Sequence, residues 1–244
     1  MSNTVYQHPI TVCITAYNEV ANIPVLMSDL DLIQDQFPLM KCVVVDNASS
    51  DQTLSLLLQE RHNRPWLFVS HLAENRGYGG GLQEAIAMAD TDTVITFPAD
   101  LQYSPQAVMK VIECLQLVSS GKQTLIYGHR VKRHDGVVGR VQSFVYLSIC
   151  KTLLNLKSND INGLPKLFPR ELVLQHRDIL SKTFFMDAQI LLLAQKSNFY
   201  IEAVPVEFLP RKLGVSSWSR KRLATYLSVL GEVFAFRKKM RKSL

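Results

Sequence analysis

The sequence lacks most of the features that would take a chain out of the ordinary globular class. No run approaches the roughly 18 consecutive apolar residues of a membrane span. The first residues, Met1 to His8, hold neither a basic segment nor an apolar signal core, and the expectation is a cytoplasmic chain. Only four cysteines occur, Cys13, Cys42, Cys114 and Cys150, with no C-x-x-C pair, so they read as buried, reduced thiols. Internal repeats and low-complexity segments are missing. A dinucleotide fingerprint is missing too, because G-x-G-x-x-G from Gly77 would need Gly at Leu82, and from Gly79 at Glu84. That excludes a dehydrogenase. No aromatic-basic interleaving or known binding module points to nucleic acid as a partner. Acidic residues are nearly missing from the end of the chain. From Arg211 onward ten Lys and Arg face a single acid, Glu232, while the remainder holds seventeen bases and twenty acids. Such asymmetry points to an anionic partner.

What is present describes a soluble α/β protein. The 244 residues, 47% hydrophobic and 20% charged, can bury a substantial core as one large domain or two small ones. The spacing predicts a first strand over Ile10 to Ala16 and a helix from about Val20 to Gln36. A strand over Cys42 to Val45 precedes a helix from Gln52 to Glu60, and a third strand covers Trp66 to Ser70. A Gly-rich loop, Asn75 to Gly81, leads to a helix over Leu82 to Ala89. The fourth strand, Val94 onward, ends in Pro98-Ala99-Asp100-Leu101-Gln102. A helix over Gln106 to Leu117, a strand over Leu125 to Gly128 and a basic loop from His129 to Arg140 follow. A helix from Val141 to Leu156, another over Phe184 to Gln195, a strand over Tyr200 to Phe208 and a last helix over Ser219 to Lys239 complete the reading. Strands alternating with helices at this spacing predict βαβ units and a parallel, doubly wound sheet.

Ligands of such sheets gather beyond the carboxyl ends of the strands. Three strand ends place acids or amides there: Glu19, Asp46 with Asn47, and Asp100. Asp100 and Gln102, two residues apart, can hold a hard divalent cation against a diphosphate through oxygen ligands. The glycines of Gly77 to Gly81 would let the backbone pass close to a sugar or phosphate.

Four ordered motifs make a resemblance specific: Ile14-Thr15-Ala16-Tyr17-Asn18-Glu19, Val44 to Thr53, Asn75-Arg76-Gly77-Tyr78-Gly79-Gly80 and Ala99-Asp100-Leu101-Gln102. Together they resemble the GT-A glycosyltransferases of family 2, and within it the dolichyl- or polyprenyl-phosphate sugar transferase branch. The segment from Asp160 through Gly163 to Phe168 resembles a later motif of that branch. Ala203 to Phe208 with Arg211, Gly214 and Ser216 resembles its late strand and basic loop. The resemblance implies a GT-A fold, a mostly parallel sheet flanked by helices, over residues 1–210, with a basic helical tail over 211–244. It implies transfer of one sugar, with inversion, from a nucleotide-diphosphate sugar to a polyprenyl phosphate at the cytoplasmic face of a membrane. A hydroxyl acceptor on a glycan or small molecule, or a non-catalytic nucleotide-sugar-binding subunit, stays open beside it.

Carried over residue by residue, Ala16, Tyr17, Asn18 and Glu19 would line the nucleotide, with Asp46, Asn47, Gly77 and Gly79 beside them. Asp100 and Gln102 would hold Mg2+ or Mn2+ and the donor diphosphate. Pro98 stands where the family usually has the first Asp of Asp-x-Asp-x-Gln, so the cation loses a carboxylate. It is then held more weakly or is not needed. Arg130, Arg140 and Arg211 would clamp an acceptor phosphate, which needs positioning and no base. A hydroxyl acceptor would need a carboxylate base, Asp160 or Asp187. His129 reads as structural. In the tail Leu223, Tyr226, Leu227, Leu230, Val233 and Phe234 recur at helical spacing between Arg220-Lys221-Arg222 and Arg237 to Lys242. That pattern fits a helix in an anionic membrane interface. It also fits one packed on the domain, or one pairing with a second subunit.

Overall fold

The computed structural model describes residues 8–118, 122–134, 136–211 and 222–242. Met1 to Gln7, Gly214, Ser216 and Arg220-Lys221, all read in the sequence, lie outside the described residues. In chain order the elements are β1 (Ile10–Ala16), α1 (Ile23–Gln36), β2 (Met40–Asp46), α2 (Thr53–Arg61) and β3 (Leu67–His71). Then come α3 (Gly77–Met88), β4 (Thr93–Thr96), α4 (Pro105–Leu117), β5 (Thr124–Arg133) and α5 (Gly136–Leu154). The chain continues with β6 (Lys166–Pro169), α6 (Glu171–Leu174), α7 (Phe185–Lys196), β7 (Tyr200–Phe208) and α8 (Arg222–Lys242).

Runs such as Val12-Cys13-Ile14 and Cys42-Val43-Val44-Val45 are buried on both faces, as a sheet covered by helices on each side requires. Alternate residues point to opposite layers. Val12, Ile14, Cys42 and Val44 pack with α1 and α4, while Cys13, Val43 and Val45 pack with α3, α5 and α7. The seven strands lie in the order β3-β2-β1-β4-β6-β5-β7. All pairs are parallel except those of β6, which runs antiparallel to both β4 and β5. The sheet is therefore mostly parallel, with one reversed strand that the sequence did not announce. Four residues including a lysine and a proline carry no recognisable strand period.

Two further elements depart from expectation, and a third takes one of the readings its pattern left open. The glycines of Gly77 to Gly81 form the first turns of α3 instead of a loop ahead of it. β5 runs on through Arg133, and α5 starts at Gly136, so Arg140 sits on a helix and not in a basic loop. Among the described residues α5 is also the one helix long and apolar enough to cross a membrane, although no unbroken apolar run marks it. Finally, α8 lies against the domain. Val229, Val233 and Phe236 are buried in the same core as α7, and the Phe236 ring meets Phe185 edge-on at 5.7 Å. Its one acid, Glu232, accepts hydrogen bonds from the hydroxyls of Ser181 and Thr183. Of the apolar residues assigned to a membrane face in the tail, Val233 is in the core and Phe234 is exposed.

Candidate active site

The direction of winding reverses between β1 and β4, and the crevice beyond their carboxyl ends is where a doubly wound sheet takes its ligand. The turns leaving β1, β2 and β4 converge there. Each holds one non-glycine residue at positive φ: Asn18 at 55°, Ala48 at 60° and Leu101 at 59°. A left-handed backbone costs roughly 1–2 kcal/mol at Ala or Leu, so surrounding contacts must enforce it. They do. The Asn18 N–H donates to Ser49 Oγ at 2.9 Å, and the Asn18 side-chain oxygen accepts from the Ser50 N–H at 2.8 Å. The Glu19 N–H donates to Thr53 Oγ1 at 2.9 Å, and Val20 and Thr53 both donate backbone N–H groups to Asp51. The β1 and β2 turns are thus one lashed unit, a rigid floor with Ala16 buried beneath and the Tyr17 ring 37% exposed at its lip.

Asp46 is fully buried. Its Oδ2 lies 2.8 Å from His71 Nδ1 and accepts the Ser49 N–H at 3.2 Å, while its Oδ1 has no partner within the chain. A buried carboxylate oxygen left open at a strand end is a ready acceptor for a ligand N–H or O–H. His71 was missed by sequence reading, although its position at the end of the third strand, beside Asp46, was the available signal.

Asp100 and Gln102 follow β4 as expected. The Asp100 carboxylate accepts the Gln102 N–H at 3.2 Å, and the Gln102 amide nitrogen donates to the Leu209 carbonyl at 3.3 Å. Burial pushes the Asp100 carboxyl above its ordinary range, with the Gln102 N–H and Arg211 pulling back only in part. Arg211 reaches across to this half of the site. Its Nη2 donates to both Glu19 oxygens at 2.7 Å, and Nη1 stands 3.9 Å from Asp100. Arg211 therefore faces the donor motifs and is not grouped with Arg130 and Arg140.

The glycine segment is packed closely against the chain itself. The Asn47 amide donates to the Gly77 carbonyl at 2.9 Å and accepts the Arg76 N–H at 2.9 Å, so its side chain holds the start of α3. A Cβ at Gly79 would stand 2.4 Å from the Ser181 carbonyl oxygen and 2.6 Å from that of Thr183. At Gly77, where φ is +73°, it would stand 2.5 Å from the Lys182 carbonyl oxygen. The backbone that these glycines let pass is residues 181–183 of the chain itself.

Beside the donor crevice lies a cleft of about 180 Å³ lined by residues of β5, α5 and the segment around Asp160. Tyr103 joins the two halves: its hydroxyl meets the Leu164 N–H at 3.3 Å, and its ring packs 5.2 Å from that of Phe208. Arg130 lies over the other side of this aromatic, 5.3 Å from the Phe208 centroid. Its guanidinium is paired with Asp160, Nε to Oδ2 at 2.8 Å and Nη2 to Oδ1 at 2.6 Å, both side chains 8% exposed. Burial alone would raise the Asp160 carboxyl, but the Arg130 hydrogen bonds and charge outweigh it and hold it below the usual range. Asp187 is likewise taken, by the fully buried Lys166 at 2.7 Å. Burial lowers the Lys166 ammonium, with Asp187 opposing. Arg140, exposed on the first turns of α5, lines the cleft.

Two buried polar atoms of cleft residues, His129 Nδ1 and Asn162 Oδ1, have no hydrogen-bond partner among the described residues, while the buried Tyr146 hydroxyl lies against the Cys150 thiol. Asn162 lies within the Asp160-to-Gly163 motif, whereas Tyr146 carried no local signal, because the cleft brings together residues far apart in sequence. A larger cavity, about 310 Å³, opens near Asp92, Thr93 and Thr124, at the opposite ends of β4 and β5. None of the strand-end residues reaches it.

Comparison with known proteins places this geometry. An undecaprenyl-phosphate 4-deoxy-4-formamido-L-arabinose transferase of Pectobacterium carotovorum is 32% identical over 111 residues, 43% of this chain and 32% of that one. The glycosyltransferase AglD of Haloferax volcanii is 24% identical over 83% of this chain and 33% of its own length. The chain thus spans about a third of the length of these curated relatives. Among solved structures, glucosyl-3-phosphoglycerate synthase from Mycobacterium tuberculosis superposes with a TM-score of 0.66 at 20% identity, covering 92% of this chain and 80% of that one. That protein has been crystallised with phosphoglyceric acid, and also with Mn2+, UDP and glucosyl-3-phosphoglycerate. The likeness establishes the GT-A fold. The model of glycosyl transferase family 2 matches residues 11–173, across the β1, β2, α3 and β4 motifs, and the chain is a glycosyltransferase that belongs to family 2.

Proposed function

We propose that this glycosyltransferase moves one sugar, with inversion, from a nucleoside-diphosphate sugar to the phosphate of a polyprenyl-type lipid. One observation carries the choice of acceptor. Among the described residues Asp160 is the only carboxylate lining the cleft, and Arg130 holds it ionised through two side-chain hydrogen bonds. Asp187, the other candidate base, is bound to buried Lys166. A hydroxyl acceptor needs a carboxylate free to take its proton. A phosphate acceptor is already an anionic nucleophile at neutral pH and needs only to be positioned. Arg140 on the cleft wall suits such a group. The names of the undecaprenyl-phosphate relatives agree with this reading.

On the donor side, Tyr17 and Asp46 would meet the base and ribose, and Arg211 with Glu19 would border the diphosphate. The residues present fit a divalent cation as a site completed by substrate. Asp100 offers a carboxylate and Gln102 a side-chain oxygen, since its amide nitrogen is turned to Leu209. Pro98 adds nothing, so diphosphate and water would fill the remaining positions. Such a cation would neutralise charge on the departing nucleoside diphosphate. Crystals of the mycobacterial synthase with Mn2+ and UDP support that assignment.

The test is a donor screen scored by nucleotide release, with a short polyprenyl phosphate, phosphoglycerate or no acceptor. Release should be stimulated by the polyprenyl phosphate. Arg140→Ala should lower that stimulation about ten- to a hundredfold, the loss of one charge-assisted contact of roughly 1.5–3 kcal/mol, and leave slow donor hydrolysis intact. Stimulation by a hydroxyl compound alone would sink the lipid-phosphate reading and keep the glycosyltransferase.

A further inference from the structure

The tail helix was the sequence's candidate for a membrane contact, but three of its described apolar side chains, Val229, Val233 and Phe236, are spent on the domain core, leaving Phe234 exposed. The largest bare apolar surface lies elsewhere. On α5, Val137, Val138, Val141, Phe144 and Val145 are 68%, 61%, 55%, 69% and 49% exposed, and Val131 of β5 adds 58%. Their spacing, i, i+1, i+4, i+7 and i+8, gathers the five helical residues on one stripe. The opposite stripe, Tyr146, Cys150 and Leu154, is what seats α5 on the core. α8 packs on α5 as well, and Val229, Val233 and Phe236 join the core cluster of Tyr146, Cys150 and Leu154. A contiguous apolar stripe of this size is uncommon on a chain that stays in water. The charges carried by α5 itself are all positive, while Asp135 precedes the helix in the sequence and Glu207 of β7 pairs with His134. Arg140 and Lys151 are the only charged residues of α5, which contains no acid, and the exposed Lys132 lies just before it on β5. Finally, Phe144 and Arg140 belong both to this surface and to the wall of the acceptor cleft.

We propose that the outer face of α5, Val137, Val138, Val141, Phe144 and Val145 with Val131, seats the domain on an anionic lipid bilayer and turns the mouth of the cleft toward it. The helix lies in the interface and does not cross it, because its inner stripe is built into the core. Apolar side chains enter the headgroup boundary, and Arg140, Lys132 and Lys151 meet lipid phosphates. A phosphate carried on a long isoprenoid would then enter the cleft without its chain crossing water. This inference rests on the lipid-phosphate reading for its purpose but not for its measurement.

The experiment uses the full chain with phosphatidylcholine vesicles, with and without phosphatidylglycerol. The wild type should float with the anionic vesicles and be released by salt. The triple variant Val137→Glu, Val141→Glu, Val145→Glu, which leaves Arg140 and Phe144 in place, should partition at least about tenfold more weakly. It should still use a short, water-soluble polyprenyl phosphate, while losing turnover on a long-chain acceptor embedded in vesicles. Flotation of the variant equal to wild type overturns the proposal. So does a wild type that ignores vesicles, or one whose apolar face instead makes a concentration-dependent dimer that the variant abolishes. Should the variant fail to fold, Phe144→Trp decides: its fluorescence is quenched by brominated lipid if α5 is seated, and unquenched emission overturns the assignment. Vesicle binding with no transfer to any lipid phosphate would remove the acceptor reading and leave the membrane surface standing.

Discussion

Asp160→Asn should be among the more damaging single substitutions in the chain, although it changes no volume. The carboxylate accepts three hydrogen bonds from one residue: the Arg130 N–H at 3.0 Å, its Nε–H at 2.8 Å and its Nη2–H at 2.6 Å. An amide turns one of those acceptors into a donor pointed at a donor, and leaves the guanidinium charge uncompensated where the side chain is 8% exposed. Removing one member of a buried pair costs about 3–5 kcal/mol. Arg130 keeps the Phe208 ring face, 5.3 Å away, which places the expected loss near the lower end, about 3 kcal/mol. Urea unfolding of the two proteins at neutral pH, followed by circular dichroism, measures it. The paired change Arg130→Met with Asp160→Leu should restore much of the loss, since an apolar pair leaves no stranded charge. The pH dependence has a definite sign. Because the folded carboxyl is held below its ordinary range, its contribution is complete above about pH 4, where an unfolded Asp ionises. It is lost as pH falls through the lower folded value, so wild type and Asp160→Asn should converge in acid. A variant within about 1 kcal/mol of wild type at neutral pH would refute the reasoning, and Arg130 would then be available to a ligand.

Three further outcomes follow from the same geometry. Gly79→Ala should cost about 1–3 kcal/mol by forcing a methyl against the Ser181 and Thr183 carbonyls, while donor affinity of the folded protein holds; lost affinity at unchanged stability would return the glycine to the ligand. Turnover needs Asp100 ionised, and burial raises its carboxyl, so the acid limb of kcat/KM should fall above the ordinary aspartate range and move to lower pH with excess Mn2+; a limb at or below about pH 4 contradicts the assignment. A chain ended at Arg211 uncovers Phe185 and deletes the buried Val229, Val233 and Phe236, worth about 1.5–3 kcal/mol each, and should aggregate or melt far earlier; an unchanged cooperative melt would show that α8 is an appendage.

The strands were legible because parallel strands buried on both faces are written as short unbroken apolar runs. Ile10–Ala16 and Tyr200–Phe208 were placed to the residue. Ends moved wherever a boundary is decided by a partner far away. α3 begins at Gly77 because its first turn is held by Asn47 and the carbonyl of Lys182, neither of which is near it in sequence. β6 was illegible because it is short, reversed, and carries Lys166, whose burial makes sense only beside Asp187. For α8 the helix was legible but its buried face was not: of the predicted stripe Val233 is buried and Phe234 exposed, while Val229 and Phe236 join the core from outside it. An apolar stripe between basic clusters looks alike whether it faces lipid or protein, and the described Val229, Val233 and Phe236 pack on the domain.

The two halves of the site differ in the same way. The donor half is made of turns in which neighbouring residues act together, Ala16 to Glu19, Asp46 to Asp51 and Asp100 to Gln102, so spacing alone marks them. The acceptor half takes His129 and Arg130 from β5, Arg140 and Tyr146 from α5, and Asp160 and Asn162 from a loop. Reading each of those charges as available overcounts, because Arg130 and Asp160 largely cancel one another. The charged side chain left among the described cleft residues is then Arg140, beside neutral Ser143, Asn159 and Asn162. One cation on an exposed helix cannot hold a phosphate as tightly as a buried pair of arginines would. Affinity for a lipid acceptor then has to draw on the apolar chain and the surface that carries it. The seating of α5 and the binding of the acceptor are, on that argument, a single event, and salt or charge on the α5 face should change KM for a vesicle-bound acceptor far more than kcat.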